Sequence, residues 1–253
     1  MSHWPYEITF DAFCQRYDLS GDIFWRSVFD THKDKMQIKN PAVAVVNLRK
    51  IFSATFKLAN EKGFQAMSLR DLSRETEISM GGLYAYIGSK NDLASVIEGV
   101  LRNTIDQVIG SLASQNLNPV DCLRAIIYGE IYTMEILKPW YYFCFMELKG
   151  LAKEQQAQAM NLELRFEQSV VDAISSGIAS REFSCGKPTM LAALVTAQLQ
   201  QWHLKQWKFK QQDIDTQTYA RFVFENLLLS LRYEPLSSHV RNPLGRALAV
   251  QTS

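Results

Sequence analysis

The spacing of hydrophobic side chains along the chain predicts a structure made almost wholly of α-helices. Apolar residues recur at intervals of three and four over several long stretches, which is the spacing of one buried helix face. The sequence contains no convincing run of alternating apolar and polar residues, the pattern of a half-buried strand. Only 7 prolines and 12 glycines interrupt the 253 residues, which leaves room for long helices. The predicted fold class is therefore all-α.

Four helices are predicted between residues 41 and 110. Gly63 follows the first apolar-periodic stretch, and glycine readily adopts the left-handed conformation that ends a helix. Ser68 and Ser89 are each followed three positions later by aspartate, the S-x-x-D arrangement that opens a helix by reciprocal capping. Another short helix is predicted to start at about Ser79, after a tight turn. The predicted helices cover about residues 41–62, 69–76, 79–87 and 90–110.

Long amphipathic helices are also predicted in the second half of the chain. Asn118-Pro119 and Asp215 supply start signals, and Pro188 suits the first turn of another helix. These helices cover about residues 119–138, 154–178, 188–210 and 216–233, with a strongly aromatic segment at 140–151. The apolar side of the helix at 154–178 is predicted to comprise Met160, Leu164, Val170, Val171 and Ile174.

The predicted elements divide the chain into four parts. These are an N-terminal extension at 1–40, a small helical domain at 41–110, a larger helical domain at 111–233 and a tail at 234–253. The extension carries eight aromatic side chains, a residue type that is usually buried, so we predict that it packs on the main body. An arm that reaches DNA or a partner subunit is the alternative. The polar stretch 31–40 is predicted to be a linker, and the weakly periodic tail is predicted to be exposed.

Composition excludes several classes of protein. With 47% hydrophobic and 21% charged residues and a formal net charge of +1, the chain is too apolar to be disordered. The charge balance gives no overall attraction to nucleic acid, so DNA affinity must come from a local patch. The N-terminus has no signal-peptide pattern, and no window holds about 18 apolar residues in succession. We predict a cytoplasmic protein with no membrane partner.

No residue pattern indicates an enzyme, a metal site or a cofactor. The chain has no G-x-S-x-G, Walker, H-E-x-x-H or dinucleotide-binding pattern. Its four histidines are far apart in the sequence, and its four cysteines lack metal-ligand or redox spacing. The cysteines are therefore predicted to be reduced thiols, and the protein is predicted to be neither an enzyme nor a cofactor binder.

The two short helices at about 69–76 and 79–87 have the plan of a helix-turn-helix. In that motif the second helix presents its N-terminal side chains to base edges in the major groove. Two adjacent glycines at this position leave little bulk, so the backbone can approach DNA closely. Tyrosine hydroxyls and a lysine just beyond them can bond phosphates. The residues placed for DNA contact are Met80, Gly81, Gly82, Tyr84, Tyr86 and Lys90.

Three stretches of this region resemble the DNA-binding domain of the TetR family of repressors. Residues 58–64 (LANEKGF) resemble the end of that family's first helix, and residues 68–72 (SLRDL) resemble the start of its second. Residues 83–93 (LYAYIGSKNDL) resemble its recognition helix and the entry to the fourth helix. The stretches occur in the family's order and spacing, within under a fifth of the chain. The resemblance implies a sequence-specific DNA-binding regulator.

The resemblance also implies a role for individual positions. Arg70 falls where the family can read a base, and Tyr84 falls where a tyrosine touches a base or the backbone. Tyr86 and Lys90 fall where phosphate contacts are made. The positions that set operator choice correspond to Met80, Gly81 and Gly82, and the core positions correspond to Leu83 and Ile87.

Glu77 departs from the family pattern, because this turn position usually holds glycine. A glutamate there is strained if its φ angle is positive. Three of the predicted contacts also have simpler interpretations. Tyr84 can be a half-buried packing residue, Lys90 can be a solvated charge without a partner, and Arg70 can pair with Glu75 or another acid.

For the larger domain, the resemblance implies dimerisation and the binding of a small ligand. The helices at about 188–210 and 216–233 fall where the family builds a four-helix dimer interface. Intrachain core is the alternative for their apolar side chains. The candidate interface residues are Met190, Leu191, Leu194, Leu199, Phe222, Leu227, Leu228 and Leu231.

Clusters of aromatic residues are the only sequence feature that indicates where a ligand pocket lies. An aromatic, weakly charged lining suits an apolar or flat ligand. A fatty-acid-like molecule, an acyl thioester and an aromatic compound all remain open. Ordinary core packing is the alternative for most of these side chains, and for the histidine in particular. The candidate ligand-binding residues are Tyr132, Tyr142, Phe145, Trp202 and His203.

These observations predict a homodimeric transcriptional regulator. It is predicted to be a repressor that binds a palindromic operator in double-stranded DNA and is released by a small apolar effector, through coupling between two sites. Two alternatives remain. One is a DNA-binding regulator that answers to a protein partner or has no ligand. The other is a helical ligand-binding or enzymatic domain with a vestigial DNA module.

Overall fold

The computed structural model describes residues 3–232, and every regular element in that range is helical. The all-α prediction is therefore confirmed, and the predicted tail at 234–253 lies outside the described residues. The α-helices are α1 (Phe10–Arg16), α2 (Asp22–His32), α3 (Pro41–Lys62), α4 (Leu69–Thr76), α5 (Met80–Tyr84), α6 (Lys90–Ala113), α7 (Pro119–Ile136), α8 (Lys138–Met146), α9 (Lys153–Ala179), α10 (Pro188–Lys210) and α11 (Thr216–Ser230).

The predicted start and stop signals act as helix caps. Ser68 and Asp71 form a capping box, in which each side chain bonds the other residue's backbone N–H. The Ser89 side chain accepts a hydrogen bond from the backbone of Asp92. Gly63 ends α3 with a φ of 82°, a backbone conformation that glycine adopts without strain. These bonds join residues a few positions apart, which is why the local sequence predicts them.

Several predicted boundaries and faces are wrong. α5 ends at Tyr84 rather than near residue 87, and the predicted linker at 31–40 begins with the end of α2 and a 3₁₀ turn at Lys33–Lys35. On α9, Met160 and Leu164 are exposed although both were assigned to the apolar face. The side chains that α9 buries include Leu162, Phe166, Val170 and Ile174. The face is set by where α7 and α10 pack against α9.

The larger helical body is built around α7. This helix is buried along almost its whole length, and it packs against α6, α9, α10 and α11. α6 starts directly after the short α5 and also contacts α8 and α9. α6 therefore connects the α3–α5 region to the larger body as one uninterrupted helix. No helix among residues 3–232 is long and apolar enough to cross a membrane.

Seven of the eight aromatic side chains of the N-terminal extension pack into the main body, as predicted, and Tyr6 is exposed. The Phe13 ring lies 5.0 Å from that of Trp4 and 5.5 Å from that of Tyr132 on α7, measured between ring centroids. The Trp25 ring lies 5.8 Å from that of Trp140 on α8. Offset and edge-on aromatic contacts at these distances stabilise packing beyond the area they bury. The extension is therefore part of the core.

Two helical glycines are expected to respond to alanine with opposite signs. A Cβ at Gly177 in α9 would overlap the buried ring of Phe183, whereas a Cβ at Gly110 in α6 would meet no atom within 4 Å. Overpacking should make Gly177→Ala lower the free energy of unfolding by about 1–3 kcal/mol. Gly110→Ala should raise it by about 0.5–1 kcal/mol, because alanine is the better helix former. Urea denaturation of both variants measures this, and equal effects would contradict the packing around Gly177.

Candidate nucleic-acid interface and buried cavity

α4 and α5 form a compact helix-turn-helix. The Ser73 hydroxyl donates a 2.6 Å hydrogen bond across the turn to the carbonyl oxygen of Ile78. Ser79 then caps α5 by accepting from the backbone N–H of Gly82. Glu77 has a φ of 59° and a ψ of 19°, the left-handed conformation in which a non-glycine residue is strained. The turn that the sequence predicted is present, and its strain falls on Glu77.

The helix-turn-helix is held by a tightly packed core. Leu72 of α4, Leu83 of α5 and Leu48 of α3 are fully buried, and Ile87 is nearly so. Leu83 and Ile87 therefore occupy the core positions that the family resemblance implied. Because α5 is only five residues long, its orientation depends on this packing and not on its own helix propensity.

Arg70, Gly81 and Tyr84 lie on the exposed side of the motif. Tyr84 is 49% exposed, which fits a half-buried ring with a free edge. Arg70 is in none of the ion pairs found among residues 3–232, and Glu75 pairs with Lys57 at 2.6 Å. The proposed pairing of Arg70 with Glu75 is therefore wrong.

The two glycines at the start of α5 differ in the space available around them. A Cβ at Gly82 would lie 2.9 Å from the side chain of Ile78, so a larger residue would disturb the turn. A Cβ at Gly81 would meet nothing within 4 Å, and Met80 beside it is partly exposed. Gly82 is thus needed for the local fold, while Gly81 leaves open space on the outer surface.

Tyr86 is buried, in contrast to Tyr84. Its hydroxyl accepts a 2.8 Å hydrogen bond from the side-chain amide of Asn47 on α3, and only 4% of the residue is exposed. This geometry favours a role in holding α3 against the end of α5. The phosphate contact assigned to Tyr86 stays a prediction, and making it would require the hydroxyl to reach solvent.

Lys90 has partners within the chain. Its ammonium group donates a 2.9 Å hydrogen bond to the carbonyl oxygen of Gln65 and lies 4.9 Å from the centre of the Phe64 ring. Burial lowers the pKa of Lys90, and the Glu147 carboxylate partly opposes the shift. The interpretation of Lys90 as a solvated charge without a partner is therefore wrong. Its contact with DNA stays a prediction.

A cavity of about 120 Å³ lies between α6, α7, α8, α9 and α10. Its lining is mainly aliphatic and aromatic, with polar groups from Glu130, Thr196 and His203. Each of these three is at most 5% exposed. The cavity is thus an apolar space that a few polar side chains enter, which is the usual composition of a small-molecule site.

Burial disfavours the charged forms of two polar side chains in the cavity, Glu130 and His203. Glu130 accepts a 3.0 Å hydrogen bond from the Tyr141 hydroxyl. Burial raises the pKa of Glu130 to about 7, and the bond from Tyr141 partly opposes this. Burial lowers the pKa of His203 to about 4, and the charge of Lys138 acts in the same direction. His203 is therefore neutral near pH 7, whereas Glu130 changes its charge in that range.

Sequence comparison identifies the helix-turn-helix. The family described as "Bacterial regulatory proteins, tetR family" matches residues 51–97, from the middle of α3 into α6. The HTH-type transcriptional regulator HbdR of Aromatoleum sp. (strain CIB) is 22% identical over 195 residues, which are 77% of this chain and 83% of HbdR. The chain carries the DNA-binding domain of the TetR family of transcriptional regulators at residues 51–97.

Solved structures of bacterial transcriptional regulators share the fold of this chain. PfmR from Thermus thermophilus is 21% identical with a TM-score of 0.61, over 72% of this chain and 98% of PfmR. FadR from Bacillus subtilis, solved in complex with stearoyl-CoA, is 15% identical with a TM-score of 0.55. That match covers 72% of this chain and 98% of FadR.

The five predicted ligand residues of this TetR-family chain do not form one site. Phe145 and His203 line the cavity, and Tyr142 lines a separate outer groove that His203 also reaches. Tyr132 lies away from the cavity, bonded to Gln217. Trp202 donates a 2.8 Å hydrogen bond to Glu135. Core packing, the alternative interpretation, describes Tyr132 and Trp202.

Sequence reasoning missed the cavity residues Glu130 and Thr196. Glu130 carried a usable signal, because it is an acid within the apolar run Ile126–Ile131 of α7, and buried acids need a partner or a function. The sequence around Thr196 contained no comparable signal, since threonine is common on any helix face.

The candidate dimer side chains divide into two groups. Met190, Leu194 and Phe222 are at least 60% exposed, while Leu199, Leu227 and Leu231 are buried within the chain. Leu191 and Leu228 are partly buried. The intrachain alternative is therefore correct for the buried group, whereas the exposed group leaves apolar side chains of α10 and α11 uncovered.

Proposed function

We propose that this TetR-family regulator is a homodimeric repressor that binds a palindromic operator and is released by a small effector. The observation that carries the proposal is the helix-turn-helix, with Arg70, Gly81 and Tyr84 on its exposed side and a rigid core behind it. In the proposed organisation, residues 41–110 bind DNA in the cytoplasm, and residues 111–233 dimerise and hold the effector.

The exposed apolar face of α10 and α11 supports the homodimer. Met190, Leu194 and Phe222 share this region, and apolar surface of this kind marks an interaction site when it is contiguous. A two-fold symmetric pair would place two recognition helices in successive major grooves, about 34–36 Å apart. The symmetry of the pair is the reason to expect a palindromic operator.

The position of α6 supports release by an effector. α6 contributes Leu101 and Ile105 to the cavity lining, and its first residue, Lys90, contacts the helix-turn-helix region through Gln65. A ligand that shifts α6 would change the spacing of the two recognition helices. DNA and effector would then alter each other's affinity by the same factor. FadR from Bacillus subtilis, solved with stearoyl-CoA, is a structural neighbour that holds a small molecule.

Control by a protein partner has less support. That alternative relied on the aromatic extension as a docking surface, and Phe13, Phe24 and Phe29 of the extension are buried against the body. Among residues 3–40, the exposed large hydrophobic side chains are those of Tyr6 and Ile23.

Tyr84→Ala is expected to weaken operator binding about fivefold or more while leaving the fold intact. A base or backbone contact contributes about 1–3 kcal/mol, and removing an exposed side chain changes stability by less than about 0.5 kcal/mol. The operator is first found by enriching a random duplex pool at low salt and by footprinting the upstream DNA. Affinities are then measured by fluorescence anisotropy at two salt concentrations.

Tyr6→Ala is the matched control, because Tyr6 is an exposed tyrosine outside the helix-turn-helix, and its hydroxyl donates a hydrogen bond to Gln115, just beyond the C-terminal end of α6. It should bind the operator like the parent protein. Equal affinities of the Tyr84 and Tyr6 variants would remove Tyr84 from the contact set. Failure of the folded parent protein to enrich any sequence would refute the proposed function.

A further inference from the structure

We propose that the cavity between α6 and α10 binds a small neutral molecule, the size of one six-membered ring, that carries a hydroxyl group. The inference deepens the proposed function by naming the class of effector, and its role in regulation rests on that function. Three properties of the cavity support it: its size, its unpartnered polar atoms and the absence of a cation from its lining.

The volume of the cavity fits a ligand of about one ring. Its volume of about 120 Å³ is comparable to the apolar cavity of about 150 Å³ that binds benzene in another protein. Leu101 and Ile105 of α6, Met134 of α7 and Phe166 of α9 supply an apolar wall. A long acyl chain or a coenzyme A thioester would need a much larger space than these helices leave.

Two polar side chains in the wall lack hydrogen-bond partners. Within the described residues, neither the Thr196 hydroxyl nor either ring nitrogen of His203 is bonded, and both residues are only 4% exposed. Buried polar groups in native proteins are nearly always paired, so such groups point to a missing partner. A neutral imidazole and a threonine hydroxyl each offer a donor and an acceptor. A ligand hydroxyl, which also donates and accepts, matches them.

The charges around the cavity disfavour ionised ligands. Of its lining residues, all of which the structure describes, none is Lys or Arg, so a carboxylate or phosphate would be buried without a counterion. Lys138, the cation that influences His203, bonds Gln206 at 2.5 Å instead. A cation is disfavoured because burial opposes the charged form of Glu130, the one buried acid in the lining, and the other acid, Glu163, lies exposed to water.

Four single-ring probes separate these properties. Toluene, 4-methylphenol, 4-methylbenzoate and 4-methylbenzylamine share the methylated ring and differ in the second substituent. Each is titrated into the full-length protein, without DNA, by calorimetry and by NMR chemical-shift mapping. We expect 4-methylphenol to bind about tenfold more tightly than toluene, through one added hydrogen bond. We expect no binding of either ionised probe at the concentrations that saturate 4-methylphenol.

Substitutions test whether the preference for 4-methylphenol over toluene depends on Thr196 and His203. Thr196→Val keeps the shape and removes the hydroxyl, so it should reduce the preference for 4-methylphenol over toluene to below about threefold. Thr31→Val, at an exposed position outside the cavity, should leave the tenfold preference unchanged. His203→Phe should weaken 4-methylphenol more than toluene.

The proposal is overturned if an ionised probe binds as tightly as 4-methylphenol, if toluene binds equally well, or if no probe binds. It is also overturned if Thr196→Val and His203→Phe, each shown to be folded, both leave the preference unchanged. Because these titrations contain no DNA, their failure leaves operator binding untouched. Binding of 4-methylphenol without any loss of operator affinity would support the site and refute its role in release.

Discussion

Replacing Phe13 with alanine is expected to lower the free energy of unfolding by about 3–5 kcal/mol, the usual cost of deleting a buried aromatic ring. The Phe13 side chain is fully buried, and its ring contacts Trp4, Tyr17 and Tyr132. Tyr132 belongs to α7, the central helix of the larger body. The cavity left by the ring would therefore open between the extension and that body.

The matched control for this prediction is Tyr6→Ala, which removes an aromatic side chain from the same extension. Tyr6 is 71% exposed, so its loss should change stability by less than about 0.5 kcal/mol. Both variants are compared by urea denaturation, followed by circular dichroism and by tryptophan fluorescence. If Phe13→Ala unfolds at the same urea concentration as the parent, the extension is not part of the cooperative core.

Glu130→Gln is expected to remove a pH-dependent loss of stability. Between pH 5 and pH 8, Glu130 should lower the free energy of unfolding of the parent protein by about 2–3 kcal/mol, at about 1.4 kcal/mol per pKa unit, and the variant should lack this decrease. Burial raises the pKa of Glu130 from 4.5 to about 7. Between these values the unfolded chain releases the proton and the folded protein keeps it. The Glu130 contribution to stability therefore falls as pH rises from about 4.5 to 7 and stays low above that. Glutamine has no such proton and still accepts the bond from Tyr141.

The comparison must be made between the parent and the variant at each pH, because His203 acts in the opposite direction. Its pKa is lowered to about 4, so its contribution is lost as pH falls from about 6.5 toward 4. Glu163→Gln on α9 is the control, since that carboxyl is exposed. If the difference in free energy of unfolding between the parent and Glu130→Gln does not grow from pH 5 to pH 8, Glu130 ionises normally in the folded protein.

The helix-turn-helix could be predicted from the sequence because its defining features are local. Ser68 and Ser89 cap helices through atoms three residues away, and Gly63 ends α3 by its own backbone conformation. The spacing of these residues also carried the family resemblance, which the match to residues 51–97 bears out. Glu77 is unusual by comparison with the family pattern, which has glycine at this turn position, and its φ of 59° agrees.

The exposure of individual side chains could not be predicted in the same way. Tyr84 and Tyr86 are two residues apart and chemically identical, yet one is exposed and the other bonds Asn47 on a different helix. Likewise, Met160 and Leu164 fit a helical apolar stripe but face solvent. In each case the neighbouring helix decides which face is covered.

By itself, the sequence determined the all-α class, the main helix boundaries and the DNA-binding motif, because short-range hydrogen bonds and side-chain periodicity encode them. Only the tertiary structure decided which polar groups share the cavity. Glu130 and His203 are 73 positions apart, on α7 and α10, and Leu101 joins them from α6. No local pattern specifies such a meeting, since it depends on how five helices pack around one space.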